Sequence, residues 1–419
     1  MRRREGAAPV PGGAPLHRNS EYLRWLLGDL LLDIGAGIGA FAFPLITFMV
    51  TGSMGTTGLV ALVQGLGAVV GMIPGGLLAD RVERRRLRLL AGLTGAAVQL
   101  ALVVVLLAVL AFLDRLRETA LGSASNAMLK QIVPTRQLPR AVSVNQGREA
   151  AVEMASGPVG GALLGISLVF PPLAHLLGNL GSVLATLSMR GRYLPRTEGS
   201  APTRLVDDLR EAVAWIRTQP IRLQMLSVSC AVNLGANGLL FTVMLDLADQ
   251  GVPATRIGLL NTALAASILL GAFLAPRLVD TVPTGVLAIA PVGLMALVGV
   301  LLPLAPSMVW IGVGYALLGI GLPAINASGQ GFFTHITPVA MQGRVSALMR
   351  MVSLGVMTLA PALAGWGLDL AGATPTLLLF AGVLALGTVV GVLSRDLRRL
   401  PVSSRWEAHA LAEGLSVPE

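Results

Sequence analysis

Eleven or twelve runs of roughly twenty apolar residues, set apart by short polar breaks, restrict the fold of this chain more than any other feature. About 30 Å of hydrocarbon at a helical rise of about 1.5 Å per residue requires about 20 such residues. A backbone in lipid must also satisfy its own hydrogen bonds, which leaves the helix as the plain solution. The runs fall near 22–50, 57–79, 87–106, 107–129, 141–168, 173–190, 221–248, 255–275, 284–304, 308–330, 343–367 and 374–394. Charged residues are only 13% of the 419 and mean hydropathy is +0.74, too little polar surface for a soluble domain. The 50 glycines suit helices that approach one another closely in a bilayer. An all-α membrane protein is therefore predicted.

Charge sets the expected orientation. One set of loops and tails carries 25 Lys and Arg, while the opposite loops carry only Arg256. Basic loops stay in the cytoplasm, so both termini are placed there, in a multi-pass protein of the cell membrane with an even number of spans. The net charge of +9 does not argue for nucleic acid, because the arginines punctuate apolar runs instead of sharing one soluble face with aromatics. Residues 1–20 carry Arg2, Arg3 and Arg4 followed by Pro, Gly and Ala without an apolar core, and read as a disordered tail, not a signal peptide. Cys230 is the single cysteine, which excludes a disulfide framework.

The longest cytoplasmic connection divides the chain into a tail (1–21), a six-helix bundle (22–190), a linker (191–220), a second six-helix bundle (221–394) and a final tail (395–419). Within the linker, Val206, Leu209, Val213 and Ile216 give an amphipathic helix, lying on the membrane surface or solvated as a connector. The halves repeat weakly: "GGLLADR" (75–81) returns as "GAFLAPR" (271–277), and "IVPTRQLPRAVS" (132–143) as "ITPVAMQGRVSA" (336–347). Repeated halves place a substrate path between them in many transporters. The second half has a turn at "PLAPS" (303–307), whereas "LALVVVLLAVLAFL" (100–113) contains no turn residue, so spans three and four are expected to be shortened. Either they still pair as helices, or the domain is damaged and inactive.

Charges inside spans are expensive unless paired or wetted, which makes each one a candidate for function. Asp29 and Asp33 lie one turn apart on span one. Arg148, Glu149 and Glu153 lie in the cytoplasmic half of span five. A carboxylate in low dielectric takes up a proton more readily, so Asp33 or Glu153 is expected to carry a coupling proton while Arg148 biases which acid titrates. The competing reading is a static salt-bridge cluster joining spans one and five. Asn179, Asn233, Asn237, Asn261, Asn326 and Gln330 line a cavity or hold helices together. His175 is read as incidental. His335 has no second ligand at metal spacing, so neither metal nor cofactor is expected. The five arginines at 81, 84, 85, 86 and 88 are read as one anchor on the anionic leaflet, at about 1 kcal/mol each.

At "GGLLADRVERRRLRLL" (75–90) the chain resembles the loop between spans two and three of the major facilitator superfamily, G-x-x-x-D-R-x-G-R-R, at Gly76, Asp80, Arg81, Arg84 and Arg85, with Glu83 in place of a glycine. "LPRAVSVNQGREAAVEMASGPVGGALLG" (138–165) is similar to span five of drug:proton antiporters, the motif falling on Gly157, Pro158 and Gly161. "NAMLKQIVPTRQLPRA" and "GRVSALMRMVSLGVMTLAPALAG" resemble the branch with macrolide efflux proteins and enterobactin-type siderophore exporters. The resemblance implies the major facilitator fold of two six-helix halves, a loop at 76–85 that makes and breaks contacts during the cycle, and proton-driven efflux of amphipathic small molecules by alternating access. Its partners would be a small-molecule substrate, protons and the lipid bilayer, with no nucleic acid, in a monomer. Uptake by symport and a non-transporting, decayed membrane protein are the alternatives. No nucleotide-binding loop or nucleophile elbow is present, so neither ATP drive nor an enzyme is expected.

Overall fold

A computed structural model describes residues 16–102, 114–116, 128–129, 131–134, 137–189, 205–338 and 341–415, with side chains undescribed at 73–81, 100–102, 139, 143, 146, 150 and 205–209. Long helices dominate: α1 (Ser20–Thr51), α2 (Met54–Arg81), α3 (Arg84–Leu102), α4 (Leu138–Ile166), α5 (Phe170–Ser188), α6 (Leu205–Arg217), α7 (Pro220–Asp249) and α8 (Ala254–Thr281). They continue with α9 (Thr284–Leu301), α10 (Met308–Ile320), α11 (Leu322–Ile336), α12 (Gln342–Ala371) and α13 (Ala373–Leu393), then the short α14 (Arg395–Arg398) and α15 (Trp406–Ala412). Among the described residues there is no strand, and eight helical stretches are long and apolar enough to cross a membrane. The all-α membrane architecture is borne out. The lengths of spans three and four depend on 103–113 and 117–127, which lie outside the described residues.

Local chemistry starts and turns these helices. Asn19 Oδ1 accepts from the backbone N–H groups of Glu21 and Tyr22, both at 3.1 Å, and so caps α1. Its amide donates to the Ile132 carbonyl at 3.1 Å, which ties the cap to a distant segment. The α1–α2 and α7–α8 turns each use a left-handed glycine, Gly52 at φ 64° and Gly251 at φ 75°, a conformation open to glycine without penalty. The same device recurs at equivalent points of the two repeats.

The residues divide into two compact units. The first comprises Met1–Val50, Val63–Gly199 and Pro253–Gly258, the second Thr51–Leu62, Ser200–Val252 and Leu259–Glu419. In the first unit glycines let backbones touch: Gly92 of α3 faces the Asn179 carbonyl and Val183, Gly35 of α1 faces the His175 backbone, and Gly178 of α5 faces the Leu31 carbonyl. Trp25 and Tyr22 stack at 6.0 Å between ring centres and are buried with Met128, Ile132 and Met189.

In the second unit α7, α12 and α13 pack together, with Gly235 and Gly238 receiving Leu384 and Phe380. The amphipathic α6 lays Ala212 and Ile216 on Phe333, Val345 and Leu348, so protein covers this part of its apolar face. Arg344 pairs with Glu211, and Arg222 stacks 3.6 Å over the Trp215 ring while donating to the Trp215 carbonyl at 2.7 Å. Trp406 of α15 docks beside α11 and donates to Thr284 Oγ1 at 2.9 Å.

A branched side chain at a tight glycine crossing has nowhere to go. Gly178→Val is expected to destabilise the first unit by about 1–3 kcal/mol through overpacking against the Leu31 carbonyl. A thermal melt of the detergent-solubilised protein should show a lower midpoint, whereas Gly147→Ala, at a position open to space, should leave it unchanged.

Candidate functional site

The described charges of the first unit converge on α1. Asp29 and Asp33 stand one turn apart, and the glycines beside them admit cationic partners. A Cβ at Gly28 would lie 2.7 Å from Arg88 Nη2, so the guanidinium passes where a side chain is missing. A Cβ at Gly37 would collide with Ser156 of α4, which brings the helix bearing Arg148 close.

The contacts are unequal. Arg88 of α3 donates from Nη2 to Asp29 Oδ1 at 2.9 Å and to the Trp25 carbonyl at 3.0 Å. Arg148 of α4 places one nitrogen, Nη2, 2.7 Å from Asp33 Oδ2, 3.6 Å from Asp29 Oδ2 and 3.8 Å from Glu149 Oε1. Asp29, Arg88 and Arg148 have side chains only 9%, 4% and 8% exposed, while Asp33 is 36% and Glu149 53% exposed. Asn145 donates to Glu149 at 2.7 Å and steadies that acid on its own helix.

Two arginines and two aspartates cancel one another. An unbalanced ion in low dielectric is expensive, and removing one member of a buried pair is more harmful than never having had it. Of the three carboxylates around Arg148 Nη2, only Asp33 lies within hydrogen-bond distance, while Asp29 and Glu149 stand 3.6 and 3.8 Å away.

The expected residues sort themselves in space. Asp29, Asp33, Arg148 and Glu149 come together. Glu153 does not: it is exposed on α4 and, among the described residues, makes no ion pair. Gly157 and Gly161 lie against the first turn of α8, where a Cβ at Gly161 would overlap the Ala254 carbonyl and one at Gly258 would overlap the Gly157 carbonyl; Pro158 stands between them, half-buried. The side chains of Gly76, Asp80 and Arg81 lie outside the described residues, and the α2 backbone ends at Arg81. Arg84 begins α3, and Arg85 donates to the Thr186 and Leu187 carbonyls at 3.3 and 3.1 Å, capping the C-terminal end of α5.

Two expectations need correction. Arg88 is not part of a cytoplasmic anchor: it is buried on Asp29, while Arg86 pairs with Glu83 at 3.0 Å and stays exposed. The available signal was its place between Leu87 and Leu89, one turn inside α3. His175 is not incidental either, being buried with Gln99 and Asp114. Of the asparagines, Asn179, Asn233 and Asn237 donate to carbonyls one turn back in their own helices, at 3.0, 2.9 and 2.8 Å. Among the described residues no group of three His, Cys, Asp or Glu is placed to hold a metal.

Comparison with known proteins follows this geometry. The model of the Major Facilitator Superfamily matches residues 26–245 and 226–415. No curated protein matches the chain. Among solved structures, a mutant of the nucleoside transporter NupG is similar at a TM-score of 0.74 and 14% identity, over 89% of this chain and 99% of that one. A bacterial homologue of the iron transporter ferroportin, inward-facing, gives 0.65 and 15% over 90% and 99%. A POT family transporter in complex with 5-aminolevulinic acid gives 0.64 and 12% over 89% and 96%. Identities this low speak for a shared fold and leave substrates to each protein.

Truncating the buried cation gives the sharpest test of the cluster. Arg88→Gln should lower unfolding free energy by about 3–5 kcal/mol, because the buried Asp29 loses the cation 2.9 Å away. Arg86→Gln, at an exposed pair, should change it by less than about 1 kcal/mol. Denaturant titration of the two variants in the same detergent compares them directly.

Proposed function

Because the chain belongs to the Major Facilitator Superfamily, we propose that it is a proton-driven secondary transporter exporting amphipathic small molecules across the cell membrane. The observation that carries this reading is the single Arg148 nitrogen set among three carboxylates of unequal exposure. Asp33 is the acid open enough to meet a proton from water, and its 2.7 Å contact is the one that protonation weakens. Arg148 then turns to Asp29, 3.6 Å away, and α4 shifts its hold on α1. Loss of the proton restores the first pairing. A contact with two discrete arrangements is the kind of element that alternating access needs.

The rest of the plan follows from this assignment. Residues 22–190 and 221–394 form the two six-helix halves, 191–220 joins them, and both termini face the cytoplasm. Asp29 stays charged, held by Arg88, and keeps the cluster neutral when Asp33 is deprotonated. The 76–85 loop and the Gly157–Gly161 stretch serve the change of state, the second by letting α4 lie flush on a neighbour. Substrate preference for bulky amphipathic compounds rests on the likeness of the 126–141 and 343–365 stretches to macrolide and siderophore exporters.

In inverted membrane vesicles energised to acidify their lumen, a pH-sensitive dye should report proton release when a transported compound is added from a panel of macrolides, amphipathic cations and catecholate siderophores. Asp33→Asn should abolish that response, at least tenfold, while Glu153→Gln keeps most of it. A wild-type response that Asp33→Asn leaves intact would show that another acid carries the proton. No response to any compound under either gradient direction would remove proton-driven export altogether.

A further inference from the structure

Past α13 the chain folds back onto the second unit in a basic turn. Ser394 leaves the helix with an extended backbone; its Oγ accepts from the Leu397 N–H at 3.0 Å, which caps α14, and donates to Gln224 Oε1 of α7. Leu397 and Leu400 are buried, at 0% and 1% exposure. Two orphan donors at the start of α9, the N–H groups of Thr284 and Gly285, donate to the Pro401 and Leu400 carbonyls at 3.2 and 3.3 Å. A Cβ at Gly285 would overlap the Leu397 carbonyl, so the turn is pressed against α9. Further on, Ser403 donates to Asp280 Oδ1 at 2.9 Å.

Arg395, Arg398 and Arg399 fall within this turn, and all three are exposed. Among the described residues none of them makes an ion pair, and Asp396 is the one acid between Ser394 and Leu400. Guanidinium groups this near one another in the chain repel, and a free tail would let them spread. The buried leucines and the bonds to α9 hold them together instead, and an anion shared among them offsets the repulsion. Position decides which anion. The α13 helix is long and apolar enough to cross a membrane, and its Leu386 and Leu393 are 65% and 73% exposed, an apolar face open to hydrocarbon. Arg395 follows Leu393 by two residues, at the level where lipid phosphates concentrate and draw basic segments to the bilayer surface.

We infer that Arg395, Arg398 and Arg399 form a binding site for the phosphate of an anionic phospholipid headgroup at the end of α13. The acyl chains lie along the exposed apolar face of α13, and the phosphate oxygens accept from the guanidinium groups, whose forked donors suit them. Because α14 is already packed, binding does not have to order the segment first. Asp396 offsets one of the three positive charges, so its removal strengthens the site. The inference is independent of the coupling and direction of transport and needs only that α13 spans the bilayer.

Native mass spectrometry of the full-length protein in detergent, titrated with phosphatidylglycerol or with phosphatidylcholine, tests the site. Wild-type protein should bind phosphatidylglycerol at least about tenfold more tightly than phosphatidylcholine, and the preference should shrink as salt rises. Arg395→Gln, Arg398→Gln and Arg399→Gln together should weaken phosphatidylglycerol binding at least about tenfold. Arg86→Gln, Arg217→Gln and Arg350→Gln together remove the same charge from exposed positions elsewhere and should change it by less than about threefold. Asp396→Asn should tighten it by about two- to threefold, a gain that no misfolding of the triple variant could imitate. Excess inorganic phosphate should leave the lipid bound. Equal binding of the two lipids, equal losses in the two triple variants, no gain from Asp396→Asn, or displacement by inorganic phosphate would each overturn the inference.

Discussion

Charge balance without water is the constraint on which the rest depends. A guanidinium or carboxylate at membrane depth survives only beside its opposite. The pairing of Arg88 with Asp29 and of Arg148 with Asp33 meets that demand within one unit. It also dictates the packing. Long cationic side chains must reach α1 from two sides, and Gly28 and Gly37 supply the room where a Cβ would obstruct Arg88 or push α4 away. The glycines here are a condition of the electrostatics as well as of close helix crossing.

The spans were legible because length and hydropathy follow directly from bilayer thickness, and the helices start and stop close to where polar breaks and turn residues stand. Asp29, Asp33 and Arg148 were legible for a similar reason: a charge in an apolar run announces itself, and an i, i+4 pair shares a face. Arg88 was hidden by its company. Five arginines in eight positions read as a single anchor, and only the fold distinguishes Arg85 on the end of α5, Arg86 on Glu83 and Arg88 under Trp25. Gln99, Asp114 and His175 are isolated in sequence, so no local pattern links them. Glu153 is visible in sequence as an intramembrane acid, but sequence does not show that, among the described residues, no cation pairs with it. For α6 the apolar face was legible, but nothing local said that Phe333 and Val345 would cover it.

In the second unit the described intramembrane groups Asn233, Asn237, Thr242, Ser328 and Thr358 bond to carbonyls of their own helices, while Tyr315 donates to the Leu240 carbonyl and Ser229 meets Ser353 across helices. The bonds within a helix satisfy the side chain and leave little to be switched. In the first unit Asp29, Asp33, Gln99 and His175 bond across helices, so a change of protonation there alters how one helix holds another.

Asymmetry within the arginine and aspartate cluster then decides between a fixed brace and a working part. A brace is best built from acids of equal burial, each with its own cation, because such an arrangement has one low-energy state. Here Asp29 lies beside both Arg88 and Arg148 and is nearly sealed, whereas Asp33 pairs with Arg148 and is a third open. Neutralising Asp29 would strand Arg88 in the interior, an expensive outcome. Neutralising Asp33 strands nothing, since Arg148 has Asp29 and Glu149 within 4 Å to receive it. On the proposed reading, a second arrangement is reached by adding one proton at one place, a property that a purely structural salt bridge has no reason to possess.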